Sequence, residues 1–351
     1  MSRKKGILIF FIVLILGAAI LTGGWYYLTF HYPNVVTDNG KTAFLLIPEG
    51  TDYQGLIDSL QTGGHLKMEQ AFRWAARREN LPDHVHAGRY ALKHGMNNRE
   101  LARKLAMGWQ DPLNITLSGS IRTFERLASV LARNLAIDSA SVLEHLRNDS
   151  LIASFGFDSV SLRGMFIPNT YEVFWTITGE DLLKRMRREY DRFWNEQRKD
   201  KAKSIGLTQK QVSTLASIVN EETANADEMP LVAGVYMNRL RIGMPLQADP
   251  TLFFAAKDYS IRRVLKKHTK IESPYNTYKY RGLPPGPIAV PTIEAIDAVL
   301  HYRHHNYLYF CAKEDFSGYH NFAVTLGDHM KNARRFQRAL TLRMNQEGRA
   351  Q

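Results

Sequence analysis

Two adjacent carboxylates, Glu221 and Glu222, close a stretch that begins at Thr208. Thr208 with Gln211 three residues later has the form of a capping box, so a helix is expected to start there with Thr208 as its N-cap. Val212, Leu215, Ala216 and Val219 follow at the i, i+3, i+4, i+7 spacing of one buried stripe. At about 100° per residue, Glu221 falls roughly 170° from the stripe and is expected in solvent; Glu222 falls roughly 70° away, on its border. A carboxyl half-sunk in an apolar wall keeps its proton to higher pH, because burial penalises the charged form. A general acid working near neutrality needs that property. The alternative for Glu222 is a helix-end ion pair with Arg239 or Arg241.

Other polar groups sit on loops. Asn238 to Thr251 ends a helix, turns at Gly243 and presents Gln247 and Asp249; Asn238 or Arg239 is expected to hold Asp249. Ser273 to Tyr278 runs into Gly282 to Ile288, where Pro284, Pro285 and Pro287 remove donors and fix the backbone as a rigid loop. Tyr275, Asn276 and Tyr278 on such loops suit sugars: aromatic faces cover the C–H side of a pyranose and amides bond its hydroxyls. His301, His304 and His305 lack a carboxylate or thiol to complete a metal set, so they read as a solvated helical face, and no metal is expected. Cys311, the single cysteine, reads as a buried strand residue and rules out an internal disulfide framework.

The elements that must position these groups make an α+β chain of 351 residues, enough for about two domains. Residues 7–30 carry no charge over 24 positions, a helix of about 36 Å that spans a bilayer core. Residues 1–6 hold Arg3, Lys4 and Lys5, which places that tail in the cytoplasm and the rest of the chain outside. A cleaved signal peptide fits less well, because the apolar run is long and no small-residue cleavage site follows. Residues 31–41 read as a polar linker. From 42 to 108 the pattern is strand (Ala43 to Ile47), helix, helix, strand (Gly88 to Leu92), then a helix capped by Asn98. Residues 109–338 form the larger domain and 339–351 a basic tail. The net charge of +12 calls for an anionic partner. Outside the cytoplasm that partner is membrane lipid or an acidic wall polymer, not nucleic acid.

The run Ala216-Ser217-Ile218-Val219-Asn220-Glu221-Glu222-Thr223-Ala224 resembles the catalytic helix of the YceG-like family, membrane-anchored endolytic murein transglycosylases. Asn238-Arg239-Leu240, Leu246 to Thr251, Tyr275 to Tyr278, Leu283 to Ile288, and His320-Asn321-Phe322 through His329 follow in the family's order. The resemblance implies that Glu222 is the catalytic acid and that 42–108 is a LysM-like module ahead of an α+β catalytic domain. It implies substrate contacts from Gln247, Asp249, Tyr275, Asn276, Tyr278, His320 and His329, and no cofactor. The implied substrate is the peptidoglycan glycan strand, cut to leave 1,6-anhydro-N-acetylmuramic acid ends near membrane lipid and peptidoglycan synthases. A catalytically inactive wall-binding scaffold is the rival from another class; a lysozyme-like hydrolase using Asp249 is a second. The chain departs from the family pattern at Asn220, where Glu is usual, and at Arg163 and Asn169, where acidic residues are usual. The first bears on the acidity of Glu222, the other two on substrate contact from their loop.

The basic residues ahead of residue 7 generate a direct test. A reporter active only in the periplasm, fused after Gln351, is expected to be active; a working cytoplasm-only reporter at that site would refute the orientation.

Overall fold

The computed structural model describes residues 3–261 and 264–347. Expectations for residues 1–2 and for the tail beyond Glu347 lie outside the described residues. The protein is mixed α and β, mainly helical, with three two-stranded sheets among the described residues. It divides into two compact units. The first takes in the chain up to Ile115 together with Asn134–Ile137 and Tyr171–Ile177; the second takes in Thr116–Arg133, Asp138–Thr170 and the chain from Thr178 onward.

The first unit begins with helix α1 (Arg3–Phe30). Within α1, Gly6–Phe30 is, among the described residues, the one helix long and apolar enough to cross a membrane. Strands β1 (Ala43–Ile47) and β2 (Gly88–Leu92) pair antiparallel, with Leu45 opposite Tyr90. The two-residue period buries Leu45 and Ile47 and exposes Phe44 and Leu46. Helix α2 (Tyr53–Thr62) is capped by Asp52, which accepts from the Gly55 amide at 2.7 Å, and ends at Gly63. Helices α3 (Glu69–Arg78) and α4 (Asn98–Ala106) complete a core of Leu56, Ile57, Leu60, Phe72, Tyr90, Leu101 and Leu105.

Two expectations change here. The cap of α4 is Asn97, in a full capping box with Glu100, not Asn98. Asn98 is fully buried instead: its amide donates to the Thr29 carbonyl at 2.8 Å and its oxygen accepts from Asn34 at 2.5 Å. The segment expected as a polar linker is therefore structured. Asn34 and Val35 are buried, and Val35 bridges to Leu66. The polar composition misleads because Asn34 spends its amide on Asn98 and Met68 rather than on water.

Strand β3 (Leu113–Thr116) pairs with β4 (Thr170–Val173). In the second unit, α5 (Phe124–Leu131), α7 (Asp149–Ser154) and α8 (Gly179–Phe193) pack on α6 (Ser139–Arg147), and α9 (Glu196–Ser204) follows. Helix α10 (Gln209–Glu222) lies at the centre, packed on α11 (Met229–Arg241), α12 (Asp249–Ala256) and α13 (Ile293–Leu300). A hairpin of β5 (Tyr309–Ala312) and β6 (His320–Ala323) and the helix α14 (Leu326–Glu347) close the chain.

Asn98 generates a stability test. Asn98→Ala leaves the Thr29 carbonyl and one N–H of the Asn34 amide without their partners in a buried site, where each unsatisfied group costs about 1–3 kcal/mol. Denaturant unfolding is expected to show a loss of that order, and a loss below about 0.5 kcal/mol would show that Asn98 is not what pins this end of α1.

Candidate active site

Helix α10 starts as its capping box requires: the Thr208 hydroxyl accepts from the Gln211 amide and the Gln211 side chain returns to the Thr208 amide. Every residue from Val212 to Val219 is buried, so the helix is enclosed all round rather than along one stripe. Its small polar residues make this possible. Thr214 donates to the Lys210 carbonyl at 2.8 Å, and Ser217 donates to the Thr214 carbonyl at 2.7 Å while accepting from the Ile288 amide at 3.0 Å. The Pro-rich loop is thereby tied to α10. Gly286 in that loop cannot carry a side chain, since a Cβ there would sit 2.3 Å from the Val160 carbonyl oxygen.

The enclosure overturns the expectation for Glu221. Its side chain is only 5% exposed, ion-paired with Arg122 at 2.5 Å and bonded by the Ser120 hydroxyl at 2.8 Å. The helix face that faced water on the wheel faces residues 120–122 instead. Neither Arg239 nor Arg241 pairs with Glu222. The Tyr236 hydroxyl donates to Glu222 Oε1 at 2.6 Å.

Glu222 opens onto a cavity of about 370 Å³. Tyr236 and Arg239 of α11 line one side; Gln247, Asp249 and Tyr278 come from the two loops; Tyr309 to Ala312 of β5, His320 of β6, and Leu326 and His329 of α14 complete it. Glu222, Gln247, Asp249, Tyr278, His320 and His329 thus come together from positions spread over a hundred residues. Tyr275 and Asn276 do not line this cavity. Tyr275 packs on Phe254, with ring centroids 4.5 Å apart. Asn276 is fully buried, its amide spent on the Thr269 and Ile271 carbonyls and its oxygen on the Tyr278 and Lys279 amides, so it shapes the loop that presents Tyr278. Arg163 and Asn169 are also outside the cavity lining. The Arg163 guanidinium lies over the rings of Phe124 and Phe254, at 4.2 and 5.0 Å, and Asn169 accepts from the Thr170 amide.

Asp249 is held by Tyr278, whose hydroxyl donates to it, and not by Asn238 or Arg239. Asn238 donates to the His305 and Tyr307 carbonyls, and Arg239 to those of Leu308 and Leu246; both serve to tie α11 to the approach to β5. His305 does not sit on a helix: α13 ends at Leu300, and a His305 ring nitrogen lies 3.0 Å from the Leu231 carbonyl. Cys311 is in a strand as expected but is half-buried and faces the cavity. Tyr236, Tyr309 and Phe310 were not legible in advance, and Arg239, expected as an ion-pair partner, lines the cavity instead. Tyr236 lies in an apolar helix at no telling offset from Glu222, and only the α10–α11 packing makes them neighbours.

The electrostatics converge on Glu222. Burial pushes its carboxyl up to about 7, Asp249 and Glu221 push the same way, and the Tyr236 bond and Arg239 oppose them. Its place in the last turn of α10 adds to this, since the helix dipole is negative there. Burial and the neighbouring Asp249 and Glu222 raise Tyr278, so its hydroxyl stays a donor. His329, stacked on Tyr309 at 5.4 Å, is lowered by burial and by Arg239 and so is held toward its neutral form. The arrangement offers one carboxyl poised to give and take a proton near neutrality, flanked by hydroxyl donors and aromatic faces in a sugar-sized hollow.

These causes have signs that variants separate. Tyr236→Phe removes a bond that favours the carboxylate, so the Glu222 midpoint, followed by ¹³C NMR of labelled glutamate, is expected to move up. Asp249→Asn removes a repelling charge and should move it down. Shifts in the same direction would refute this assignment of causes.

Comparison with known proteins bears on the same residues. The family model described as the YceG-like family matches residues 45–335. A Bacillus subtilis (strain 168) protein named endolytic murein transglycosylase is 30% identical over 315 residues, covering 85% of this chain and 85% of that protein. One of the same name from Streptococcus pneumoniae serotype 2 (strain D39 / NCTC 7466) is 28% identical over 367 residues, covering 94% of this chain and 65% of its own length. The crystal structure of a yceG-like protein from Listeria monocytogenes shares the fold, with a TM-score of 0.57 and 24% identity over 83% of this chain and 98% of that one. With most of its length matched by the one family model, from β1 through the cavity to α14, the chain belongs to the YceG-like family.

Proposed function

We propose that the protein is a murein lytic transglycosylase, an enzyme that cuts the β-1,4 bond from N-acetylmuramic acid to N-acetylglucosamine without water, with Glu222 as its catalytic acid and base. The observation that carries this is Glu222 itself: a buried carboxyl raised to about 7, bonded by Tyr236 and open to the cavity. Its relatives named endolytic murein transglycosylases support the substrate.

In the first step the Glu222 proton passes to the glycosidic oxygen, the C1–O bond breaks with its electron pair going to that oxygen, and positive charge develops at C1. The C6 hydroxyl of the same muramoyl residue then bonds to C1. Its proton goes to the Glu222 carboxylate, which restores the acid and leaves a 1,6-anhydro end. One carboxyl suffices because the nucleophile is part of the substrate and is already held close to C1. A hydrolase would need a second carboxylate to activate water or attack C1. Asp249 is the group available for that role; its bond from Tyr278 and its repulsion of the Glu222 charge fit a group that keeps Glu222 protonated.

The rest of the chain is read in the same light. Helix α1 is a membrane anchor that holds the second unit on the outer side, beside newly made strands and the synthases that extend them. Residues 42–108 are a LysM-like module. A hollow of about 770 Å³ in the first unit is bordered by Phe44, Leu46 and Arg89 of that module and by Asn114, Glu172 and Trp175 beyond it, with the Arg89 guanidinium 3.4 Å from the Phe44 ring centre, a mixed aromatic and polar surface suited to a glycan.

Mass spectrometry of purified glycan strands after digestion tests the reaction. Anhydro ends, lighter than reducing ends by one water, are expected; reducing muramic acid ends would establish hydrolysis. Glu222→Gln should lower the rate by about 10⁴-fold, the upper end of general acid–base assistance, or roughly 5 kcal/mol of barrier. Asp249→Asn should keep measurable activity. Equal and complete losses in both, with circular dichroism unchanged, would favour the hydrolase.

A further inference from the structure

A carboxylate–imidazole pair reaches the same cavity through its histidine, and no part of the mechanism above uses it. Glu228 caps the start of α11 and its side chain is buried, at 4% exposure. It is joined to β6 twice: Oε1 accepts from the His320 amide at 2.8 Å, and Oε2 lies 2.6 Å from His320 Nδ1. Oε2 also accepts from Thr223, the residue that follows Glu222 and caps the end of α10, at 3.4 Å. His320 lines the cavity with Glu222, and Phe310 stands edge-on against its ring with centroids 5.3 Å apart.

We infer that Glu228 is a positioning residue, which fixes the proton of His320 on Nδ1 and aims the ring so that Nε2 bonds the glycan strand. A carboxylate can only accept, so a ring nitrogen 2.6 Å from it must carry hydrogen. Which nitrogen of a histidine is protonated is set by the bond its other nitrogen makes, and Nδ1 is taken here. Nε2 is then the nitrogen left for a sugar hydroxyl. The backbone bond from the His320 amide fixes the strand as well as the ring, so the carboxylate controls both position and tautomer. Through Thr223 the same carboxylate touches the end of the helix that carries Glu222, which couples the placement of the two cavity groups. The role parallels that of the carboxylate in hydrolytic triads, which orients an imidazole and does not itself react. The charged or titratable groups that share the cavity lining with His320 include Glu222, Arg239, Asp249, Tyr278 and His329, and Asp227 is bonded by Tyr319 next to it in the chain.

The inference rests on the transglycosylase reading for its substrate but not for its geometry, and two measurements keep these apart. In the full chain without substrate, ¹H–¹⁵N spectra of the neutral His320 ring are expected to show the Nδ1–H tautomer, and Glu228→Gln to shift it toward Nε2–H. On glycan strands, Glu228→Gln should raise KM by about tenfold with kcat changed less than about threefold, the pattern of a lost binding contact, and Glu228→Asp should recover part of it. An unchanged tautomer overturns the positioning role; an unchanged KM overturns the contact. If Glu228→Gln fails to fold, His320→Gln, which keeps the backbone bond, should show the same rise in KM, and an unchanged KM there overturns the proposal. Wild-type protein that makes no anhydro ends would remove the transglycosylase reading, while the tautomer is judged on its own.

Discussion

The structure of the second unit turns on enclosing one ionisable group. Glu222 sits at the end of a helix buried on every side from Val212 to Val219. An ionised carboxylate there would lose its hydration, meet the negative end of the helix dipole and face Asp249 and Glu221. One hydroxyl donor, Tyr236, is too little to offset this, and the carboxyl moves up to about 7. The enclosure depends on groups that look incidental. Ser217 and Thr214 satisfy themselves on helix carbonyls, Ser217 also receives the Ile288 amide, and Gly286 lets the Pro-rich loop close against Val160.

Glu221 and Glu222 differ by one position and by their chemistry. The Glu221 side chain is largely withdrawn from solvent, and Arg122 and Ser120 meet it directly. That pairing ties α10 to the segment ahead of α5. Glu222 lacks such a cation at contact distance; Arg239 acts on it only at longer range, since its own donors go to the Leu246 and Leu308 carbonyls. A paired carboxyl holds the fold, and an unpaired one keeps a proton to give.

The cavity walls follow a similar division. Asn238, Arg239 and Asn276 bond mainly to backbone, and they hold α11, the approach to β5 and the Tyr278 loop in place. Gln247, held at a φ of 51°, Tyr278 and the half-buried face of β5 are what a ligand would meet. A left-handed backbone at a residue other than glycine is a strain that the surrounding structure must hold, here through the bond from the Gln247 amide to the Thr277 carbonyl.

Much of this was legible in the amino-acid sequence, because local signals act locally. The capping box at Thr208, the strands Ala43–Ile47 and Gly88–Leu92, the stop at Gly63, and the apolar run of α1 all depend on residues within a few positions of one another. The wheel placed Glu222 at the edge of an apolar wall for the same reason. Glu221, Asn98 and Asn276 were misread, since a polar side chain looks solvent-bound until a partner far along the chain is known. Arg122 lies 99 positions from Glu221 and Asn34 lies 64 from Asn98. The sequence by itself determined the family motifs, the catalytic candidate and most elements. Only the tertiary structure decided what Glu222 touches, that Tyr236 and Phe310 share its cavity, and which polar groups are spent on the fold, because burial and hydrogen-bond pairing are properties of surfaces that meet only after the chain has packed.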